Sequence, residues 1–211
     1  MRENAVRAVG AVRIVGGRFK GAALKGPRSE AVRPTSDKLR ESLFNILAHS
    51  HGDPVPGARV LDLFAGTGAL GLEALSRGAR FALFVDEAAE ARGLIRANVE
   101  ALGLTGATRI FRRDATKLGH VPIQPFALVF CDPPYGRGLG ERALRAALEG
   151  GWLEPDALAV LEEAARTEVE AIRGFERLDE RRYGDSKLLF LRRADTERAE
   201  PPQDSENARE T

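Results

Sequence analysis

The chain has 211 residues, of which 43% are apolar and 30% are charged, so we expect one domain with a substantial core and a small appendage. No apolar run approaches the length of a membrane span, and the single cysteine, Cys131, excludes an internal disulfide bond and a metal site built from cysteines alone. The three histidines lack metal-ligand spacing, and residues 1–10 lack the apolar core of a signal peptide. We therefore expect a cytoplasmic protein without a metal ion or a membrane contact.

Positive charge is concentrated near the start of the chain. Residues 1–40 contain ten Lys or Arg and three Asp or Glu, a net charge of +7, whereas the remainder carries −6. Such a separation indicates a basic segment that contacts a polyanion. The composition alone is equally compatible with a solvated arm that has no partner.

A basic hairpin is predicted near the N-terminus. Residues 12–15 alternate as a strand does, Gly16-Gly17 is a turn signal, and residues 18–24 are typical of the return strand. Basic and aromatic side chains in this region can bind phosphates and stack on a base. The residues expected to contact nucleic acid are Arg13, Arg18, Phe19, Lys20 and, beyond the hairpin, Arg33.

A helix is predicted immediately after this segment. Thr35 or Ser36 caps it, and Asp37 in its first turn favours the helix dipole. Apolar residues within 39–47 recur at helical spacing, so one face is expected to pack on the main domain. Three basic residues fall outside that face and are expected to meet a ligand: Arg33, Lys38 and Arg40.

Strands and helices alternate from Arg59 onwards. Strands are predicted at 60–64, 81–85, 108–111, 126–131 and 158–161, with helices from the glycine-rich loop to Gly78, at 88–102 and at 141–148. An antiparallel pair, 175–183 and 187–191, ends the ordered part. This alternation predicts a parallel sheet with crossover helices.

The composition divides the chain into three parts. Residues 1–52 form the basic appendage, residues 53–193 the α/β domain, and residues 194–211 an acidic tail. The tail has six Asp or Glu and no large apolar residue, so we expect it to be disordered.

A glycine-rich loop follows the first strand of the α/β domain. Gly66, Gly68 and Gly71 fit G-x-G-x-x-G, and Asp86 lies twenty residues after Gly66, which together match a dinucleotide fingerprint. Asp62 favours a different adenosine cofactor, because a carboxylate inside the site repels a pyrophosphate and attracts a cationic amino-acid group. S-adenosylmethionine carries such a group and a sulfonium.

Two further strand ends carry acids that suit this cofactor. Asp86 can accept hydrogen bonds from ribose hydroxyls. Asp114 can accept one from the adenine amino group, and Ala115 leaves room for the ring. The alternative role of both acids is to cap turns.

The turn Asp132-Pro133-Pro134-Tyr135 ends the fourth strand, at the sheet edge where ligands bind in α/β folds. An exocyclic amine on a base is a poor nucleophile because its lone pair is delocalised. Asp132 and the carbonyl of Pro133 can accept its two hydrogens, which aims the lone pair at a methyl donor, and Tyr135 can stack on the base. The alternative is a turn with no function beyond its shape.

With these motifs, the chain resembles the RsmD-type bacterial methyltransferases, the 16S ribosomal RNA guanine(966)-N2 methyltransferases. The resemblance rests on residues 13–17, 33–45, 62–68, 132–135 and 183–185. Residues 33–45 discriminate best, since the glycine loop marks only the class I methyltransferase fold and the D-P-P-Y turn only amino methylation.

The resemblance implies a Rossmann-like class I fold, with a seven-stranded, mostly parallel sheet whose last strand is reversed. It implies methyl transfer from S-adenosylmethionine to N2 of one guanine of 16S rRNA, in the 30S subunit or its assembly intermediate. We expect the protein to be a monomer. The implied cofactor residues are Asp62, Phe64, Ala65, Gly66, Gly68, Asp86, Asp114, Ala115, Thr35 and Asp37. The implied residues at the target amine are Asp132, Pro133, Pro134 and Tyr135.

Three other functions are considered. The same turn supports N6-adenine methylation of DNA or RNA. A non-catalytic RNA-binding ribosome assembly factor would keep only the fold, and the intact motifs argue against it. A nicotinamide dehydrogenase is disfavoured by Asp62 and by the lack of an acid or base to handle a hydride.

Overall fold

The computed structural model of the chain describes residues 12–27 and 36–194. Three predictions concern residues outside the described ranges: the RNA contact of Arg33, the cofactor contact of Thr35, and the disorder of residues 195–211. The helices of the described part are α1 (Asp37–Ser50), α2 (Ala69–Ser76), α3 (Ala89–Ala101) and α4 (Leu139–Glu149).

Seven strands form one sheet in the described part of the chain. They are β1 (Arg59–Leu63), β2 (Phe81–Val85), β3 (Thr108–Phe111), β4 (Phe126–Cys131), β5 (Leu153–Ala164), β6 (Phe175–Tyr183) and β7 (Ser186–Arg193). Their order is β3-β2-β1-β4-β5-β7-β6, and β7 alone runs against its neighbours. The predicted class I arrangement, mostly parallel with a reversed last strand, is confirmed.

Helices cover both faces of the sheet. On one face α1, α2 and α3 bury apolar residues such as Leu43, Leu72 and Ile95 beside Phe84. On the other face α4 packs with Trp152. Because β1, β2, β4 and β5 are parallel, they all end at one edge, the carboxyl edge; we call the opposite edge the amino edge.

β5 begins earlier than predicted, at Leu153 rather than Leu158. Its first half contains the polar residues Glu154 and Asp156, and Asp156 has a left-handed backbone with φ of 58°. The pairing with β4 shifts register at the same place. A bulge therefore interrupts the apolar pattern, so the periodicity shows only the second half of the strand.

The N-terminal segment, residues 12–27, differs from the predicted hairpin. A single antiparallel bridge joins Arg13 to Ala23, and the chain reverses through a 3-10 turn at Gly17–Phe19. Gly16-Gly17 is therefore not a two-residue hairpin turn, and residues 18–20 lie in the turn rather than on a return strand. The reason is tertiary contact: a Cβ on Gly17 would stand 2.0 Å from the backbone oxygen of Ser76, so this turn is shaped by α2.

Helix α1 begins as predicted, with Ser36 as its cap. The Ser36 side chain accepts a hydrogen bond from the backbone amide of Leu39 at 3.1 Å. Arg40, however, is fully buried, so the prediction that it meets a ligand is wrong. Its guanidinium donates to the Asp37 carboxylate at 2.7 Å and to the carbonyl of Arg13, which binds α1 to the N-terminal segment.

Within residues 12–27 and 36–194, no helix combines the length and apolarity needed to cross a membrane. The same ranges contain no group of three or more His, Cys, Asp or Glu arranged to hold a metal ion.

Candidate active site

Acidic residues collect at the carboxyl edge, where three neighbouring strands end together. The last residue of β1, Leu63, is paired with the last residues of both β2 and β4. Asp62 lies one residue before that end, and Asp86 and Asp132 directly follow β2 and β4. The sheet therefore brings together three of the acids that the sequence assigned to cofactor and target.

The glycine-rich loop turns the chain from β1 into α2 through left-handed backbone. Gly66 and Gly68 have φ of 55° and 78°, and Phe64 has φ of 58°. For a residue as large as Phe64 this conformation costs about 1–3 kcal/mol, a strain that is typical of functional loops. The Asp86 carboxylate accepts a hydrogen bond from the Gly66 amide at 2.9 Å, which ties the loop to the end of β2.

Gly71 lets α2 approach the sheet. A Cβ at this position would stand 2.4 Å from the Phe84 ring and 3.1 Å from Oδ2 of Asp62. No side chain fits that gap, so the third glycine of the motif is required for packing. The Gly71 amide donates to Oδ2 of Asp62 at 2.9 Å, so the start of α2 and the end of β1 are joined.

Asp62 is buried, with 1% of its surface exposed. Burial raises the pKa of its carboxyl group well above the usual value, the Gly71 amide lowers it in part, and the charges of Asp132 and Asp86 raise it further. A carboxylate in such surroundings is stabilised by a cation. The acidic group of Asp62, Asp86 and Asp132 therefore fits a positively charged ligand such as S-adenosylmethionine.

Asp86 and Asp114 both cap turns, which is the alternative role that the sequence allows them. Besides the Gly66 amide, Asp86 accepts from the amide of Ala88 at 2.8 Å. Asp114 accepts from the amide and hydroxyl of Thr116, which lowers the pKa of its carboxyl group. Carboxylate oxygens have further lone pairs, so capping is compatible with ligand contact, and both cofactor roles stay predictions.

The other predicted cofactor residues have varied surroundings. Ala65 is buried, and its amide donates to the end of β2 at 3.2 Å, inside the glycine-rich loop. Ala115 is also buried, at the start of a 3-10 turn beside α4. Asp37 accepts from the Arg13 amide at 3.3 Å and from Arg40, so its described hydrogen bonds join the N-terminal segment to α1. Their cofactor roles stay predictions.

The D-P-P-Y turn lies at the carboxyl edge and contacts the end of β1. The Asp132 amide lies 3.4 Å from the carbonyl of Leu63, Pro133 is buried, and Pro134 is exposed. Tyr135 has 40% of its surface exposed, which makes it the exposed large apolar side chain of the described residues. A partly exposed aromatic ring thus lies near a partly buried carboxylate, and burial together with that charge helps to raise the Tyr135 pKa.

Three residues that the sequence reasoning missed contact this turn. The Tyr135 hydroxyl donates to the Glu162 carboxylate at 2.5 Å and lies 3.1 Å from the hydroxyl of Ser186. Glu163 accepts from the amide of Gly136 at 2.9 Å. The sequence contains one indication of this contact: Glu162 and Glu163 follow an apolar run, and acids are costly to bury there without partners.

Cys131 is unsuited to covalent chemistry. Its thiol is buried at the end of β4, and burial, followed by the nearby carboxylates, raises its pKa well above the usual value. A reactive cysteine needs the opposite shift, because the thiolate is the nucleophile.

Three of the predicted RNA-binding residues, Arg18, Phe19 and Lys20, lie away from the D-P-P-Y turn. The 3-10 turn that carries Arg18 and Phe19 packs on Ser76, the last residue of α2: the Ser76 hydroxyl donates to the Gly16 carbonyl at 2.6 Å and accepts from the Phe19 amide at 3.0 Å. Since α2 starts at the carboxyl edge, its last residue lies towards the amino edge. Arg18, whose guanidinium stands 4.5 Å from the Phe19 ring centroid, and Lys20 are exposed there.

Comparison with known proteins identifies the family. A family model described as conserved hypothetical protein 95 matches residues 12–192. The chain belongs to this family. It is 40% identical to ribosomal RNA small subunit methyltransferase D of Escherichia coli K12 over 154 residues, which is 72% of this chain and 75% of that protein. It is 38% identical to YlbH of Bacillus subtilis, covering 75% of this chain and 85% of that one.

A solved structure supports the same assignment. The structure of Escherichia coli yhhF superposes with a TM-score of 0.74 at 33% identity, covering 88% of this chain and 99% of that one. The predicted resemblance to RsmD-type proteins is confirmed, and the fold is that of class I S-adenosylmethionine-dependent methyltransferases.

Proposed function

We propose that this protein transfers a methyl group from S-adenosylmethionine to the exocyclic N2 amine of a guanine in 16S rRNA, in the small ribosomal subunit or an intermediate of its assembly. The family assignment makes this protein an S-adenosylmethionine-dependent methyltransferase related to ribosomal RNA enzymes. The observation that carries amino methylation is the D-P-P-Y turn, in which the exposed Tyr135 follows Asp132 at the acidic carboxyl edge. The choice of a guanine in 16S rRNA rests on the similarity to ribosomal RNA small subunit methyltransferase D.

The residues present fit S-adenosylmethionine. The cofactor supplies an electrophilic methyl group on a sulfonium when it is bound. We infer that Asp62 holds its ammonium group, that the amides of the glycine-rich loop line the methionine part, and that Asp86 holds the ribose. The convergence of Asp62, Asp86 and Asp132 lowers the energy of a cation in this place.

The turn provides the groups that an amino methylation needs. Asp132 and the carbonyl of Pro133 accept the two hydrogens of the exocyclic amine and hold its lone pair on the line of displacement. The ring of Tyr135 stacks on the base and fixes the plane of the purine. Correct orientation of this kind contributes up to roughly 7–11 kcal/mol to lowering a barrier. Alkylation makes the amine far more acidic, so it would then give up a proton to the Asp132 carboxylate, which already accepts one of its hydrogens.

The basic N-terminal segment adds affinity for the RNA backbone. Arg18, Phe19 and Lys20 are proposed to contact RNA away from the target base, because their turn lies at the far end of α2 from the glycine-rich loop. The eight residues of α2 span roughly 12 Å. Arg13, whose amide donates to Asp37, is proposed to contact RNA beside the start of α1. The target base must leave its stack to reach the turn, so a loop or a single-stranded site is favoured.

The experiment that tests the function is methyl transfer from radiolabelled S-adenosylmethionine to 30S particles from cells lacking this protein, followed by nucleoside analysis. Label in N2-methylguanosine is expected. Label in N6-methyladenosine would keep the chemistry and replace the substrate. Bound cofactor without any transfer would favour the assembly-factor function.

A variant pair connects that activity to the turn. Asp132→Ala is expected to lower methyl transfer by at least about a hundredfold, because the amine loses one of its two acceptors, while cofactor affinity changes little. Glu176→Ala, which removes an exposed carboxylate on β6, is the matched control and should keep full activity. Full activity in Asp132→Ala would contradict this role of the carboxylate.

A further inference from the structure

The Tyr135 side chain is anchored at the end of the ring that faces the protein. Its hydroxyl donates to Glu162 at 2.5 Å and lies 3.1 Å from Ser186 Oγ. Glu162 stands near the end of β5 and is 4% exposed, while Ser186 is the first residue of β7. The Tyr135 hydroxyl therefore contacts side chains from two neighbouring strands, β5 and β7.

The backbone of the turn is anchored independently. Pro133 and Pro134 fix their own φ angles, and the Gly136 amide on the other side of the tyrosine donates to Glu163 at 2.9 Å. The Tyr135 ring is thus fixed at its backbone and at its hydroxyl. A ring held at both ends has little freedom to rotate or tilt.

We propose that Glu162 and Ser186 are positioning residues, which hold the Tyr135 ring at a fixed height and tilt so that a base stacked on it delivers its amine to Asp132. The inference rests on the proposed function and adds residues to it. Glu162 and Ser186 act through the tyrosine, and neither needs to touch the base. A fixed platform matters because a displacement of about 1 Å in a reacting group can slow a reaction a hundredfold.

The protonation state of the phenol supports this arrangement. Burial and then the hydrogen bond to Glu162 raise the pKa of Tyr135 above its usual value. The hydroxyl therefore keeps its proton at neutral and moderately alkaline pH and remains a donor to the carboxylate. A charged acceptor strengthens such a hydrogen bond.

A double-mutant cycle tests the coupling. Tyr135→Phe keeps the stacking ring and loses the anchor, and Glu162→Ala removes the main acceptor. Each is expected to lower kcat by about tenfold or more, with RNA KM and cofactor affinity within about threefold of wild type. The double variant should be no slower than either single variant, because both remove the same contact.

Two further variants sharpen the result. Glu162→Gln keeps an acceptor oxygen and should recover most of the lost kcat, whereas Ser186→Ala should give a smaller loss than Glu162→Ala. Glu154→Ala, on the same strand β5 but at the amino edge, is the control and should retain wild-type kcat. Normal kcat in Tyr135→Phe, or losses that multiply in the double variant, would overturn the proposal.

A second readout needs no activity. The chain has two tyrosines, so Tyr135 is the only phenol left in a Tyr183→Phe background. Since Glu162 raises the phenol pKa, Glu162→Ala should shift phenolate absorbance to lower pH, and an unchanged titration would refute the anchor. If the titration shifts while wild-type protein methylates nothing, the proposed function fails and the anchor stands.

Discussion

At Asp62, folding and cofactor binding favour opposite protonation states, because burial favours the neutral carboxyl group and a cationic ligand favours the charged one. Its carboxyl group is buried beside two other acids, and its described hydrogen bond comes from the Gly71 amide at 2.9 Å. A raised pKa in the folded state means that the folded protein binds the proton more tightly than the unfolded chain does. Stability is therefore lost as pH rises from the unfolded pKa of about 3.9 towards the folded value.

This opposition predicts a variant that is more stable and less active. Asp62→Asn keeps an oxygen for the Gly71 amide and removes the ionisation, so the melting temperature without cofactor should rise by a few degrees at pH 7. The gain should shrink as pH is lowered towards 4, where the wild-type carboxyl group is protonated. Affinity for S-adenosylmethionine should fall by at least about tenfold, because the cation loses its charged partner.

Thermal denaturation across pH and calorimetric titration with S-adenosylmethionine measure the two effects. Glu170→Gln, which makes the same change from acid to amide at an exposed position, is the control and should change neither property. Unchanged cofactor affinity in Asp62→Asn would show that this carboxylate does not hold the cation.

Helix α2 is the element that joins the glycine-rich loop to the N-terminal segment. All eight of its residues are buried, including Glu73. The Glu73 carboxylate accepts from the Val15 amide at 2.8 Å and from Arg77 Nε at 2.7 Å, and it lies 3.8 Å from Arg40 Nε. One buried carboxylate therefore connects α2 with the N-terminal segment and with α1.

Loss of this charge should loosen the appendage. Glu73→Gln leaves the buried guanidinium of Arg40 without its full counter-charge, so we expect the free energy of unfolding to fall by about 3 kcal/mol. Urea denaturation measures the change. Glu90→Gln, an exposed acid in the first turn of α3, is the control and should fall within about 0.5 kcal/mol of wild type. Equal stability of both variants would show that the cluster does not stabilise the fold.

The strands and helices of the α/β domain could be predicted because each leaves a local pattern. Buried parallel strands appear as short apolar runs, so β2 and β3 were predicted to the residue, and the glycine spacing placed α2. What the sequence hid depends on distant partners. The burial of Arg40 depends on Glu73, which lies 33 positions away in the sequence. The role of Glu162 likewise depends on Tyr135, which precedes it by 27 positions.

Within the described residues, three acids of the proposed site and two exposed basic residues lie towards opposite ends of α2. The carboxyl edge carries Asp62, Asp86 and Asp132 at the proposed cofactor site. The exposed basic side chains of Arg18 and Lys20, at the 3-10 turn, lie towards the amino edge. Acids that hold a cationic cofactor also repel phosphates. Attraction for an RNA substrate would therefore come from another part of the surface, and we propose that the 3-10 turn with Arg18 and Lys20 provides it.

Salt dependence distinguishes this arrangement from a solvated arm without a partner. Replacing Arg18 and Lys20 together by Ala should weaken RNA binding and reduce the slope of log affinity against log salt by about 1.5, since each lost phosphate contact contributes roughly 0.7–0.9. Filter binding at several salt concentrations measures the slope. The control replaces two exposed arginines on the opposite side of the sheet, Arg145 and Arg173, which removes equal charge and should leave most of the slope. Equal changes in both double variants would mean that net charge, rather than a localised contact at this turn, attracts the RNA.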